Sequence, residues 1–137
     1  MEKIGLNKMT WYTASIIISC RLKSGKQDVF PVYENFTLFE AATREEAIKK
    51  ANKYANEYVE IDDQLQLNGK PAFWKFEGIR KLIELRDYLS DELDVEQPVN
   101  GVEVSYSYME VNNEKKLQDL ANGKAVDVHY VDAADDD

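Results

Sequence analysis

The sequence predicts an α+β fold: an antiparallel sheet of about five strands with one principal helix packed on one face, plus a short C-terminal helix. Three observations carry that expectation. Trp11 to Leu22 alternates apolar and polar residues and is rich in β-branched side chains. Thr43 opens a segment with apolar residues at spacings of three and four. Period two then returns around the turn signals Asn68-Gly69 and Asn100-Gly101.

The opening residues lack a clear period and are expected to fray. In the first strand Tyr12, Ala14, Ile16, Ile18, Cys20 and Leu22 share one face, with Thr13, Ser15, Ser19 and Arg21 mostly on the other. Ser24 to Asp28 is polar, contains a glycine and reads as a hairpin loop. Val29 to Phe39 resumes a strand with Phe30, Val32, Phe36 and Leu38 on one side. Glu34 interrupts that side and Pro31 lacks a donor N–H, which together suggest an edge position or a bulge. Thr43-Arg44-Glu45-Glu46 is a capping box, and the helix is expected from about Arg44 to Glu60. Its Ala47, Ala51 and Ala55 form a small-residue stripe that permits a close approach to a sheet. Ala72 to Phe76 is a short aromatic strand, and Gly78 after it signals a bulge or a close backbone approach. Ile79 to Leu93 fits either a helix or a strand continuing past that bulge. Val102, Val104, Tyr106 and Tyr108 alternate with Glu103, Ser105 and Ser107 as a further strand. Asn113 to Ala121 is expected as a short helix with Gly123 at its C-terminal end. Val126, Val128 and Tyr130 make a last strand. Residues 1–131 are thus expected as a single α+β domain and 132–137 as a disordered acidic tail.

Several residues together resemble a known family. They are Trp11-Tyr12, Glu40-Ala41-Ala42 before the helix, Glu46-Ala47 and Lys50-Ala51 within it, Trp74-x-Phe76-x-Gly78-Ile79, Leu85, and Gly101-x-Glu103-Val104. The pattern is similar to a family of small bacterial proteins catalogued as domain of unknown function 4288, over about Trp11 to Tyr108. The resemblance implies a compact α+β fold and favours the strand reading for Ile79 to Leu85. It implies no catalytic residue, and Glu110 to Asp137 lies beyond it.

Charge narrows the partners. The net charge is −9 over 137 residues, but Met1 to Arg86 balances at +2 and Asp87 to Asp137 at −11. An acidic half repels nucleic-acid phosphates and anionic lipid, so neither nucleic acid nor membrane is an expected partner. The longest apolar run, Ile16 to Ile18, is far too short to span a bilayer. No basic stretch followed by an apolar run opens the chain, so no secretory signal is expected. A single cysteine excludes an internal disulfide and suggests a reducing cytoplasm.

Reactive side chains are sparse. His129 and Cys20 are the only members of their types, and nothing supplies an orienting third group for a nucleophilic pair. One His and one Cys cannot make a structural zinc site, and the Asp87, Asp91, Glu92, Asp94 and Glu96 spacing matches no calcium loop, so no metal or cofactor is expected. The expectation is a non-enzymatic protein-interaction module, in the manner of an immunity or inhibitor-type protein, with an acidic surface for a basic protein partner. Glu92, Asp94, Glu96, Glu103 and Glu110, with Tyr106 and Tyr108, are the expected contact residues. The alternatives are a homodimer built on an open strand edge or aromatic face, and a small-molecule binder with a pocket between helix and sheet.

Overall fold

The strand with the most continuous burial organises the molecule. In the computed structural model, which describes residues 9–59, 61–85 and 100–131, β1 (Thr10–Leu22) is buried on both faces through its middle. Only a strand with neighbours on both sides and a layer above and below can be so apolar. β2 (Phe30–Ala41) and β4 (Lys70–Glu84) flank it, both antiparallel. β5 (Glu103–Val111) adds beyond β2. Two-residue strands, β3 (Gln66–Leu67) and β6 (His129–Tyr130), end the six-stranded order β3-β4-β1-β2-β5-β6. Each pairs with only two residues of its neighbour, Lys70 and Pro71 of β4 and Met109 and Glu110 of β5.

α1 (Arg44–Tyr58) lies over β4, β1 and β2. Thr43 accepts from the Glu46 N–H at 3.1 Å as the capping box requires, while the Glu46 carboxylate reaches one residue further back than the N-cap and accepts from the Ala42 N–H at 2.7 Å. Ala47, Ala51 and Ala55 are fully buried against Tyr12, Ala14, Ile16, Phe39 and Leu82. With no side chain longer than a methyl on that stripe, the helix settles close to the sheet. Lys50 Nζ ties it to the Glu40 carbonyl at 2.6 Å.

The opposite face is covered by α2 (Glu114–Ala121), whose Leu117, Leu120 and Ala121 pack on Ile17, Phe30, Val32, Met109 and Val111. Asn113 caps it by accepting from the Lys116 N–H at 2.7 Å. Gly123, at φ +82°, closes it in a Schellman turn with Lys124 N–H donating to the Asp119 carbonyl at 2.9 Å. Eight residues are too few for a helix to persist alone. A polar clasp holds this one down. Arg21 donates to both oxygens of Glu114 at 2.9 and 2.7 Å, and through Nε to Glu77 at 2.7 Å. Ser19 and Gln118 also donate to Glu77, whose side chain is only 2% exposed. Arg80 donates to the Leu120 and Lys124 carbonyls at 2.8 and 3.0 Å, satisfying the end of the helix.

Both Glu77 and Arg80 fall where β4 slips register against β1, between the pairs Ile18–Phe76 and Ile17–Gly78, and between Ile16–Ile79 and Ser15–Lys81. Each is a bulged residue that faces α2: Arg80 leaves the face of Trp74, Phe76 and Leu82 that its parity predicts, whereas Glu77 keeps the face of Phe73 and Lys75. The expected signal at Gly78 is therefore met twice, as a bulge beside it and as a close approach: a Cβ there would stand 3.2 Å from the Ala121 carbonyl oxygen.

Some expectations change. β2 is an inner strand, not an edge, and it carries no bulge at Glu34. Glu34 stays in register and accepts a hydrogen bond from the Ser15 hydroxyl, which is why a carboxylate is tolerated there. Pro31 lies just past the last β1–β2 pair, Ser19–Val32, so its missing N–H costs that ladder nothing. The strand reading holds for Ile79 to Glu84. Residues 86–93, like the expected tail at 132–137, lie outside the described residues. In the last strand only His129 and Tyr130 pair, and Val126 and Val128 instead pack beneath α2.

Two outcomes follow from α2. Gly123→Ala forces a positive φ on a Cβ that would sit 2.9 Å from the Arg80 carbonyl oxygen, and should lower stability by roughly 1–3 kcal/mol in urea unfolding. The Arg21 hydrogen bonds hold the Glu114 carboxyl down at about 2 against an ordinary 4.5. At Glu77 burial pushes the carboxyl up, but hydrogen bonds from Arg21, Ser19 and Gln118 outweigh it and leave it lowered. Both groups bind fewer protons folded than unfolded, so the clasp is fully stabilising above about pH 4.5 and fades as pH falls toward 2. Half of the Glu114 side chain is in water, so screening limits its share to about 1 kcal/mol. Unfolding midpoints of Glu114→Gln should converge on those of the parent between pH 5 and pH 2.5.

Candidate aromatic groove

Past the C-terminal end of α1 no described element covers the sheet, and the region it leaves is aromatic. Tyr33 of β2 pairs directly with Tyr108 of β5, and their rings stack with centroids 4.6 Å apart. On its other side Tyr33 meets Trp74 of β4 edge-on at 5.6 Å, with Ile18 of the intervening β1 beneath. Tyr106 approaches Tyr33 at 5.9 Å and is 54% exposed. Such offset and edge contacts are the favoured arrangements of rings with a negative face and a positive edge. Tyr58, from the last turn of α1, and Val59 wall the groove, and its volume is about 770 Å³.

The alternation of β5 predicts that Glu103 and Tyr106 face opposite ways. The structure places both on the groove. The β2–β5 register slips between the pairs Phe36–Ser105 and Thr37–Glu103, so Val104 is the extra residue and Glu103 is turned to the aromatic side. Glu57 of α1 stands on the same groove, and its ion pair with Lys53 is long, at 4.0 Å, and exposed at both ends. Asn35, opposite Tyr106 in the ladder, adds an amide. Among the described residues that line the groove there is no Lys, Arg or His. Burial, reinforced by Tyr106, pushes the Tyr33 phenol up. It therefore remains a neutral ring at physiological pH.

The expected contact residues divide. Glu103, Tyr106 and Tyr108 share the aromatic face. Glu110 lies on the same strand but borders a separate depression of about 260 Å³ with Lys116 and His129. Glu92, Asp94 and Glu96 lie outside the described residues. Tyr33, Asn35, Glu57 and Tyr58 were not expected here. The period-two pattern of β2 places Tyr33 on its polar side, and it is the tertiary course of α1 that leaves that side uncovered by any described helix. Phe73, adjacent to Trp74, projects to the other face, opposite Arg21.

The remaining chemistry is sparse. Cys20 is buried, and burial pushes its thiol up, away from a reactive thiolate. His129 sits on the outermost strand with β2 and β5 between it and β1, about 14 Å of sheet. No group of three or more metal-ligating side chains converges among the described residues, and no helix among them is long and apolar enough to cross a membrane. A second hollow of about 320 Å³ on the α2 face holds Glu34, Ser15, Thr13 and Ser107, but Glu34 is already engaged by Ser15 and Arg80 by the end of α2.

Residues 11–104 match the family model described as Domain of unknown function (DUF4288). No curated protein and no solved structure matches the chain.

If Tyr33 is the keystone of the groove and Tyr106 its exposed lip, truncation should separate them. Tyr33→Ala removes contacts to three rings and should cost about 3 kcal/mol in urea unfolding. Tyr106→Ala should cost less than about 1 kcal/mol.

Proposed function

The chain belongs to the family of domain of unknown function DUF4288, and from that premise we propose that it is a non-enzymatic protein-interaction module that presents its aromatic groove and acidic rim to a basic protein partner. The observation that carries this reading is the open floor of Tyr33, Trp74, Tyr106 and Tyr108, flanked by Glu57 and Glu103. Exposed aromatics on a rigid sheet are the side chains that anchor interfaces, because they bury much area for little lost freedom. The strong negative balance of the C-terminal half, −11 from Asp87 onward, supports a basic counterpart and would speed encounter with it. In its sharpest form the module is an immunity or inhibitor-type protein of a bacterial cytoplasm, which covers a basic surface of its target.

A second reading has one observation in its favour. The groove's 770 Å³ lies within the range of small-molecule sites, and it is walled by a helix end and floored by a sheet.

Immobilised full-length chain should retain a basic protein from lysate at low salt and release it as salt rises. Tyr106→Ala should abolish that retention while leaving the fold intact. Retention that is indifferent to both salt and Tyr106→Ala overturns the reading, as does a melting temperature raised by a neutral metabolite with no protein retained.

A further inference from the structure

The groove's lining specifies the charge of its occupant. It offers ring faces, which carry negative electrostatic potential, and two carboxylates, Glu57 and Glu103. Glu103 has no cation within ion-pair distance among the described residues, and the partner of Glu57 is a distant, solvated lysine. The C-terminal end of α1 opens onto the same space, with Tyr58 in the wall and no basic side chain in its last turn. That end carries about half a negative charge, which cations ordinarily offset. Three independent sources of negative potential meet in a hollow whose described lining contains no positive group.

An anion is repelled by all three. A neutral ligand leaves the charge of Glu57 and Glu103 uncompensated. A guanidinium suits each at once: its plane stacks on Tyr or Trp faces, its edge N–H groups reach carboxylates and helix-end carbonyls, and it sheds water more readily than an ammonium. The volume, about 770 Å³, is far more than one guanidinium fills, so the site has room for the stretch of chain that carries it.

We infer that the groove receives an arginine side chain of the partner protein, its guanidinium stacked against the Tyr33, Trp74 and Tyr106 rings and its charge met by Glu103 and Glu57. The inference rests on the interaction reading above and names the group recognised. Glu103 is a residue that the β5 bulge delivers to the site, and Tyr106 is the exposed ring that closes over the incoming side chain.

The test uses two synthetic peptides, a Gly-Ser chain carrying three arginines and the same chain with citrulline, which keeps the shape and loses the charge. Full-length protein is titrated with each while the Trp74 indole N–H is followed by NMR. The arginine peptide should shift that signal and bind at least tenfold more tightly than the citrulline peptide. Tyr106→Leu keeps an apolar side chain but removes the ring, and should weaken binding three- to tenfold. Glu103→Gln should weaken it by a similar factor. Glu84→Gln removes the same charge at an exposed site three strands across from Glu103, beside Tyr12 and about 20 Å along β1 from Ile18, and should change nothing. Equal binding of the two peptides, or no shift of Trp74, overturns the inference. Tetramethylammonium binding as tightly as the arginine peptide also overturns it, by assigning the site to a free organic cation. Protein retention that depends on Tyr106 alongside equal peptide binding would leave the interaction reading standing and this one refuted.

Discussion

A helix of fifteen residues is asked to cover a sheet of six strands. Five spacings of about 4.8 Å make such a sheet about 24 Å wide, while a helix with its side chains is roughly 10–12 Å across. α1 settles over β4, β1 and β2, where the alanine stripe lets it approach most closely. Among the described residues, β5 therefore receives no helix on that face, and neither does the part of β2 and β4 beyond the helix end. The side chains there have to tolerate water on one side and packing on the other. Tyrosine does both, with an apolar ring and a polar tip, and the chain places it at 33, 106 and 108. The candidate site is thus a consequence of incomplete coverage, filled by the residue type suited to it.

The other face solves the same problem differently. α2 has too little apolar area to hold itself against the sheet, so Arg21, Glu77, Glu114 and Gln118 join it to β1 and β4. A buried carboxylate such as Glu77 is costly unless each oxygen is met, and here Ser19, Arg21 and Gln118 meet both. The energetic return over a well-packed apolar substitute is small. The return in geometry is larger, because only one placement of α2 satisfies Glu77, Glu114 and the Arg80 bonds to the helix end together.

Three register slips carry much of the chemistry. Two in β4 fall at Glu77 and Arg80, which both face α2, and one in β5 turns Glu103 toward the aromatic groove. Arg80 and Glu103 are thereby delivered to faces that regular alternation would deny them, while Glu77 keeps the face it shares with Phe73 and Lys75. Bulges thus serve here as the device by which a sheet built for packing also positions charge.

The elements themselves were legible in the chain. The alternation from Trp11 to Leu22, the box from Thr43 to Glu46, the Asn-Gly turns, Gly78 and Gly123 each state a local backbone preference that needs no distant partner to be understood, although the burial of β1 on both faces was not part of that alternation. Local sequence also marked the acidic second half and the aromatic character of β5. It did not reveal that Tyr33 and Trp74, 41 positions apart, share one face and nearly touch, since that depends on β1 lying between their strands. Nor did it show that Glu103 and Tyr106 face the same way, because a register slip is set by pairing with β2 and not by the alternation of β5 itself. Periodicity is a property of one strand, whereas a groove is a property of the strands and the helix that fails to cover them, and only the packed structure brings those together.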